Sequence, residues 1–322
     1  MQPSYRITEK MLNQVQRISE LTTQLAIERR ELHLHKESRI RSIQSSLAIE
    51  NNSLSIEQVT AVIEGKRVLG PPKDIHEVEN AYEAYERAFQ LDPYSVDDFL
   101  TAHRLLTKDL VTHAGQFRTG DVGVYDSAGQ VIHVGARPQF VAALVQELFD
   151  WAKASDISDY VKSCIVHFEL EIIHPFEDGN GRMGRLWQSV ILSHCNPIFE
   201  WLPIESVIYH YQQGYYDALA FSNQSNDATV FIEFMLDAIL ETLKNYQDTQ
   251  LQSQTVRLNP KEEAVWEKIN AYLLEHTSIT NSIAQELLGL SESSTRRYLA
   301  LFSKNGFLIV EGTTRDRRYR LG

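Results

Sequence analysis

Twelve consecutive residues constrain this chain more than any other stretch: His174-Pro175-Phe176-Glu177-Asp178-Gly179-Asn180-Gly181-Arg182-Met183-Gly184-Arg185. Pro175 bars helix at His174 and pushes that residue toward extended backbone. Gly179 and Gly181 allow positive φ and close approach of the backbone to a ligand. From Arg182 onward, Arg185, Leu186, Ser189, Val190 and Ser193 recur at helical spacing, with no Gly or Pro between Arg185 and Asn196. A glycine-rich loop that feeds a helix N-terminus presents unpaired N–H groups to an anion. Arg182 and Arg185 add forked donors suited to phosphate oxygens. Asp178 can hold a hard cation such as Mg²⁺ against those phosphates. His174 stands where it can take a proton from an attacking hydroxyl. Taken singly, each glycine has a turn to serve, each arginine a solvated helix face, and the histidine a structural post. Their coincidence in twelve positions favours a site.

Two familiar phosphate and metal motifs are excluded. No Gly-Lys-Ser/Thr follows the glycines, so this is not a Walker loop. His167, Glu171 and His174 share helical spacing without the His-Glu-x-x-His order of a zinc helix, and His167 and Glu171 are expected to support the loop. Further upstream, Asn51-Asn52-Ser53 reads as the stop of a short helix over about 42–51. Glu50 then sits at a helix C-terminus, where the dipole disfavours a carboxylate unless a cation relieves it.

His174 to Arg185 resembles the signature of the Fic family, His-Pro-Phe-x-Asp-Gly-Asn-Gly-Arg-x-x-Arg, at every defined position. The resemblance implies transfer of AMP from ATP to a Ser, Thr or Tyr hydroxyl on a target protein, or on the enzyme itself. His174 would be the general base and Asp178 the Mg²⁺ ligand. Gly179, Asn180, Gly181, Arg182, Met183, Gly184 and Arg185 would bind the phosphates. Tyr215 and Asn223 would contact the adenosine. Ser46-x-x-x-Glu50-Asn51 is similar to the inhibitory motif of Fic proteins, which makes Arg185 the expected partner of Glu50. Removal of AMP, with Glu50 orienting a water, is a second activity of this resemblance.

Val122–Tyr125 and Gln130–Val134, around the turn Asp126–Gly129, predict a β-hairpin. Its edge, Val131, Ile132, His133, Val134 and Gly135, resembles the Fic flap, which aligns a target segment by main-chain pairing. Arg118 and His133 are expected as flap supports. Around this the chain reads mainly α. Leu12, Val15, Ile18, Leu21, Leu25 and Leu32 stripe a helix from 8 to about 35. A polar connection follows at Lys36–Arg41. Helices are expected over 97–110, 140–154 and 159–173, and Phe231–Leu243 closes the core.

Charge divides the chain. The whole carries 31 Lys and Arg against 43 Asp and Glu, net −12, which argues against non-specific nucleic-acid binding by the chain as a whole. Residues 257–322 hold ten basic and eight acidic residues, which leaves 21 against 35 in the remainder. That asymmetry marks a separate C-terminal unit. Its pattern of three helices and a basic-tipped hairpin (Arg315, Arg317, Arg318) resembles a winged helix-turn-helix that docks DNA or protein. The expected organisation is an N-terminal helical region (1–92), a Fic core (93–245), a linker (246–260) and the winged helix (261–322). A nucleotide-sensing DNA-binding regulator is the alternative to an enzyme. Cys164 and Cys195 form no Cys-x-x-Cys pair, Met1–Arg6 leads into no apolar run, and no stretch is long enough to span a membrane. A cytoplasmic protein, and a homodimer, are expected.

Overall fold

Prolines, glycines and left-handed asparagines cut the chain into helices. The structure, a computed structural model, describes residues 2–27, 32–125, 131–254, 258–312 and 317–321. The chain divides into two units, residues 1–247 and 248–322.

The first unit is mainly α. In order it contains α1 (Glu9–Ile27), α2 (Leu32–Ile49), α3 (Ile56–Ile63), α4 (Pro72–Ala88) and α5 (Val96–Thr107). The hairpin β1 (Gly123–Tyr125) and β2 (Val131–Val134) follows, then α6 (Pro138–Ala154), α7 (Asp159–Ile173) and α8 (Asn180–Cys195). A 3-10 turn at Pro197–Glu200 leads to α9 (Ile204–His210), α10 (Gln212–Ser225) and α11 (Thr229–Gln254), of which the part up to Gln247 belongs to this unit. The hairpin is antiparallel with Val124 opposite His133, and its expected turn at 126–129 lies outside the described residues.

Three boundaries differ from the sequence reading. The helix expected from 8 to about 35 is two, because α1 ends at Ile27 and α2 begins at Leu32. The stretch Lys36–Arg41 is helical and not a connection. It holds no Gly or Pro, Ile40 is buried, and Arg39 lies against the rings of Phe89 (4.7 Å) and Trp201 (4.8 Å). A long cation on aromatic faces thus does there what an apolar residue does elsewhere. Residues 246–254 continue α11 where a linker or a fraying helix end was expected. In α1 the buried face is Met11, Ile18, Leu21 and Leu25, and Leu12 is 61% exposed.

α7 runs through the middle and is buried along nearly its whole length. On one side Phe168 and Ile165 join Ile18, Phe231 and Ile239 in one apolar cluster. On the other, Val166 and Leu170 join Ile43, Leu47, Val78, Phe149 and Trp187 in a second. Phe99 is the hub of the second cluster, with the rings of Trp187, Phe176 and Phe149 at 5.0, 5.2 and 5.4 Å. Phe176 belongs to the signature loop, so this aromatic packing moors the loop to the core.

The second unit contains α12 (Pro260–Glu275), β3 (Ile279–Thr280), α13 (Asn281–Leu288), α14 (Glu292–Lys304), β4 (Leu308–Glu311) and β5 (Arg318–Leu321). The three antiparallel strands are ordered β3-β5-β4. Ser291 caps α14 by accepting from the Ser294 N–H, as its type favours. Ile269, Leu273, Leu299, Phe302, Leu308 and Tyr319 form the core. Arg317 and Arg318 are exposed, and Arg315 lies outside the described residues.

Phe99→Ala should lower the stability of the chain by roughly 3–5 kcal/mol, the usual cost of truncating a buried Phe. Chemical denaturation checks this; a loss under ~1 kcal/mol would remove Phe99 as the mooring point.

Candidate active site

The signature loop hangs between α7 and α8. α7 ends where His174 takes left-handed backbone, φ 52° and ψ 62°. Extended geometry was expected there. The helix stop before Pro175 holds, but a left-handed C-cap satisfies it, with the His174 N–H on the Leu170 carbonyl at 2.9 Å. Arg118 braces this turn from below. Its Nε donates to the His174 carbonyl at 2.6 Å, its Nη1 to the Gly120 carbonyl at 2.8 Å, and its Nη2 to the Ala136 carbonyl. One guanidinium therefore ties the His174 turn to both ends of the hairpin, the support role expected of Arg118. Gly135 is seated so closely that a side-chain carbon there would press on Arg118 and His174. Val134 is exposed beside it, and Val131, Ile132 and His133 lie in β2.

The loop is closed by its own polar groups. The Asn180 side chain accepts from the Phe176 N–H and donates to the Phe176 carbonyl, both at 2.9 Å. His103, on α5, stacks on Phe176 with ring centroids 3.6 Å apart. Its Nδ1 accepts from the Gly115 N–H at 2.9 Å, and its Nε2 donates to the Asp178 carbonyl at 3.1 Å. These partners require the neutral ring, and burial holds the His103 pKa down at about 4. A lone His in a helix carries no sequence signal for such a post.

α8 begins at Asn180, two residues earlier than expected, with Gly179 as its N-cap at φ 84°. No side chain caps this end, so the first N–H groups point out of the helix toward whatever lies there. Gly181 is helical and not in positive φ. Its value is space, since a side-chain carbon there would collide with Glu50 Oε1. Gly184 likewise lies flush against Glu171 and His167. Met183 faces the core, and its N–H bonds the Gly179 carbonyl at 2.9 Å, so it has nothing to offer a ligand.

Both signature arginines are buried. Arg185 is 1% exposed at its side chain. Its Nη2 donates to Glu50 Oε1 at 2.8 Å and to the Ser46 carbonyl at 3.0 Å, and its Nε to Ser46 Oγ at 3.2 Å. Burial alone would weaken its charge, but Glu50 and other nearby negative groups outweigh that and hold its pKa above the ordinary arginine value. Asn51 adopts φ 66° and stops α2 as expected. Arg182, 6% exposed, reaches Asp178 Oδ1 at 3.3 Å and Glu77 Oε1 at 3.4 Å. Asp178 is half-exposed and also accepts from the Gly179 N–H at 2.6 Å. Glu77 had no sequence signal, being one acid among several on an amphipathic helix.

His167 and Glu171 serve the core. His167 Nδ1 donates to Gln188 Oε1 at 2.6 Å, and its Nε2 accepts from the Tyr215 hydroxyl at 3.1 Å. With both ring nitrogens engaged, the expected support role fits. Tyr215 is 1% exposed, so its ring faces protein and not a pocket. Its neighbour Tyr216 is the exposed ring, with its hydroxyl 3.4 Å from the Ile49 carbonyl. Asn223 is half-buried on α10.

This loop-to-helix geometry has counterparts. The Fic/DOC family matches residues 93–192. A Fic family protein from Desulfovibrio desulfuricans G20, known from a crystal structure, is 38% identical and superposes with a TM-score of 0.77. The match covers 100% of this chain and 98% of that one. The chain belongs to the Fic family. A Fic-1 fragment from Caenorhabditis elegans shares the fold at 22% identity and a TM-score of 0.62, over 75% of this chain and 73% of that one. Curated relatives are named protein adenylyltransferases. Fic-1 of C. elegans is 29% identical over 70% of this chain and 46% of its own length, and Fic of Aedes aegypti 27% over 70% and 44%. The chain therefore spans less than half the length of these two curated relatives.

The His103 ring generates a pH prediction. Its pKa is about 4 folded against 6.5 for the free side chain, so the unfolded chain binds the extra proton between those values. Stability from this group is complete above about pH 6.5 and falls as pH drops toward about 4. His103→Gln should flatten the stability–pH curve over that window in denaturant titrations; an unchanged slope would show that His103 is not neutral by necessity.

Proposed function

We propose that the chain is a protein adenylyltransferase, moving AMP from MgATP to a Ser, Thr or Tyr hydroxyl of a target protein, and that Glu50 holds it off. The observation that carries this reading is the seat of Glu50. Its carboxylate lies on Gly181 at the uncapped N-terminus of α8 and bonds a buried arginine there. That is a position fit for phosphate oxygens, filled by the chain's own anion.

In the reaction, His174 takes the proton of the target hydroxyl as its oxygen bonds to the α-phosphorus. The bond from the α-phosphorus to the bridging oxygen breaks and pyrophosphate leaves. The left-handed turn, held through its carbonyl by Arg118, sets the imidazole beside the loop. The N–H groups of α8 take the α-phosphate charge, and Arg182 and Arg185 the outer phosphates. The hairpin edge at Val131–Gly135 lays the target segment alongside His174. Among the described residues no cluster of three His, Cys, Asp or Glu can hold a metal. Asp178 is the residue that would hold Mg²⁺ against the phosphates. When bound the cation supplies neutralising charge to the phosphates. Tyr216 and Asn223, both on α10, suit the adenosine better than the buried Tyr215.

Glu50, 38% exposed, also has access to water. Orienting that water for removal of AMP is a second use of the same carboxylate. Residues 261–322 form a winged helix in this reading. Exposed Arg296, Arg297 and Arg318 suit a polyanion, whereas exposed Ile309 and Val310 on the edge strand β4 suit a protein or a second copy. The free thiols Cys164 and Cys195 fit a reducing cytoplasm. No helix among the described residues is long and apolar enough to cross a membrane.

Glu50→Gly should raise transfer of α-labelled AMP to itself or to lysate proteins about tenfold or more, since a charged hydrogen bond is worth ~1.5–3 kcal/mol. Glu50→Gly with Arg185→Ala should be inactive. Adding His174→Ala to Glu50→Gly should cost roughly 10²–10⁴-fold in turnover while MgATP still binds. Wild-type turnover in that His174 variant would sink the mechanism. Nucleotide bound but never consumed by Glu50→Gly would favour a sensor. A steep fall in duplex binding with salt, reduced by Arg318→Ala, is expected if the C-terminal unit docks DNA.

A further inference from the structure

The end of α2 and the turn that follows it reach both signature arginines, the first through Ser46 and Glu50 to Arg185 and the second through Glu77 to Arg182. Asn52 Nδ2 donates to Glu77 Oε2 at 2.8 Å and to the Asp74 carbonyl at 3.1 Å. The Ser53 N–H and hydroxyl both bond Asp74 Oδ2, at 2.9 and 2.6 Å. Asn52 cannot turn its amide over freely, because its Oδ1 accepts from the Leu54 N–H at 3.1 Å. Glu77 is itself buried, and its other oxygen, Oε1, lies 3.4 Å from Arg182 Nη1. Lys73 Nζ forms an ion pair with the same Oε1 at 3.8 Å, beyond hydrogen-bond distance. Arg182 Nε is buried without a partner. The guanidinium therefore hangs between two carboxylates, Glu77 on α4 and Asp178 in its own loop, with donor capacity to spare.

We propose that Glu77 is a positioning residue for Arg182, anchored through Asn52 to the turn that carries Glu50. This rests on the reading that Arg182 and Asp178 face nucleotide phosphates and their cation. A buried guanidinium needs a counter-charge. Glu77 supplies one from the protein side and shares Arg182 with Asp178, whose contact with the guanidinium is a long 3.3 Å and whose carboxylate stays half-exposed. With Glu77 neutral or absent, Asp178 is the acid left beside Arg182, at i and i+4 across the first turn. That pair, already in contact at 3.3 Å, tightens, and one closure removes both the arginine and the carboxylate from the ligand. The damage falls on nucleotide and cation binding and spares proton transfer at His174.

The test uses the full chain with Glu50→Gly, where the site is open. Adding Glu77→Ala should weaken MgATP binding, measured directly by calorimetry, by about tenfold, and shift the Mg²⁺ half-saturation point upward. The rate at saturating MgATP should move much less. Glu77→Gln keeps the shape and an acceptor for Arg182, but turns an amide toward Asn52; it should fall between the two. Asn52→Ala should give a smaller loss of the same kind. In an Asp178→Ala background, Glu77→Ala should no longer move the Mg²⁺ dependence, because the closure it provokes is gone. Equal MgATP affinity in Glu50→Gly with and without Glu77→Gln or Glu77→Ala would overturn the proposal. So would a loss confined to the saturated rate. If Glu50→Gly alone neither binds nor consumes MgATP, the adenylyltransferase reading fails instead.

Discussion

Everything around the signature loop answers to one requirement, that a buried guanidinium at the head of α8 must have partners. Arg185 comes into the interior because α8 packs on α7 with glycine and small residues facing inward, which brings the helices close. Taking an arginine out of water costs several kcal/mol unless hydrogen bonds and a counter-charge meet it. Three acceptors meet it, two from Ser46 and one from Glu50. Ser46 lies on α2 and Glu50 one helical turn further on, just past its end, so the end of α2 must dock at this point. The Ile49 carbonyl is met by Gln212 Nε2 at 3.0 Å, and Ser45 meets Ser206 at 3.0 Å. The docking of α2 is therefore largely polar on this side, and its geometry is specified more narrowly than an apolar contact would specify it.

The same logic fixes the loop. A loop of backbone amides that must face a ligand cannot bond itself shut, so its order has to come from side chains placed elsewhere. Asn180 closes it from within, His103 from α5, Arg118 from beneath and Phe176 from the core. Asn180, His103 and Arg118 spend their side-chain polar atoms on backbone groups. The uncapped N-terminus of α8 is left facing outward. Rigid support with an unsatisfied rim is what a site for a charged ligand requires.

Much of this was legible in the sequence because the loop is contiguous. Its twelve residues carry the helix stop, the left-handed Gly179, the arginine pair and the acid in one reading frame. The hairpin and most helix limits followed from periodicity and from Gly and Pro. The partners across the fold were not legible. Glu77 and His103 sit on ordinary amphipathic helices, and only packing brings them to the loop. That Tyr215 is buried and Tyr216 exposed was not legible for a related reason: α10 has aromatics on several faces, and spacing alone does not say which face is buried. His174 shows a local rule overridden. Proline disfavours helix before it, but a C-cap fed by the Leu170 carbonyl selects the left-handed alternative over the extended one.

The three bonds to Arg185 are not equivalent, and that bears on how the proposed inhibition can be lifted. Glu50 is 38% exposed, so water screens its pairing and can replace it when the side chain swings away. Ser46 is buried, and its two bonds are shielded. Withdrawal of α2 as a whole would strip all three acceptors from a buried cation and also open the contacts at Ile49 and Ser45. Rotation of the Glu50 side chain gives up one partly screened bond, and an incoming phosphate restores it with more charge and more acceptors. The lower path keeps α2 and Ser46 in place and moves only Glu50. On this account Ser46 is not an inhibitory group in the sense that Glu50 is. It is the permanent half of the arginine's coordination, and the carboxylate is the half that exchanges with ligand.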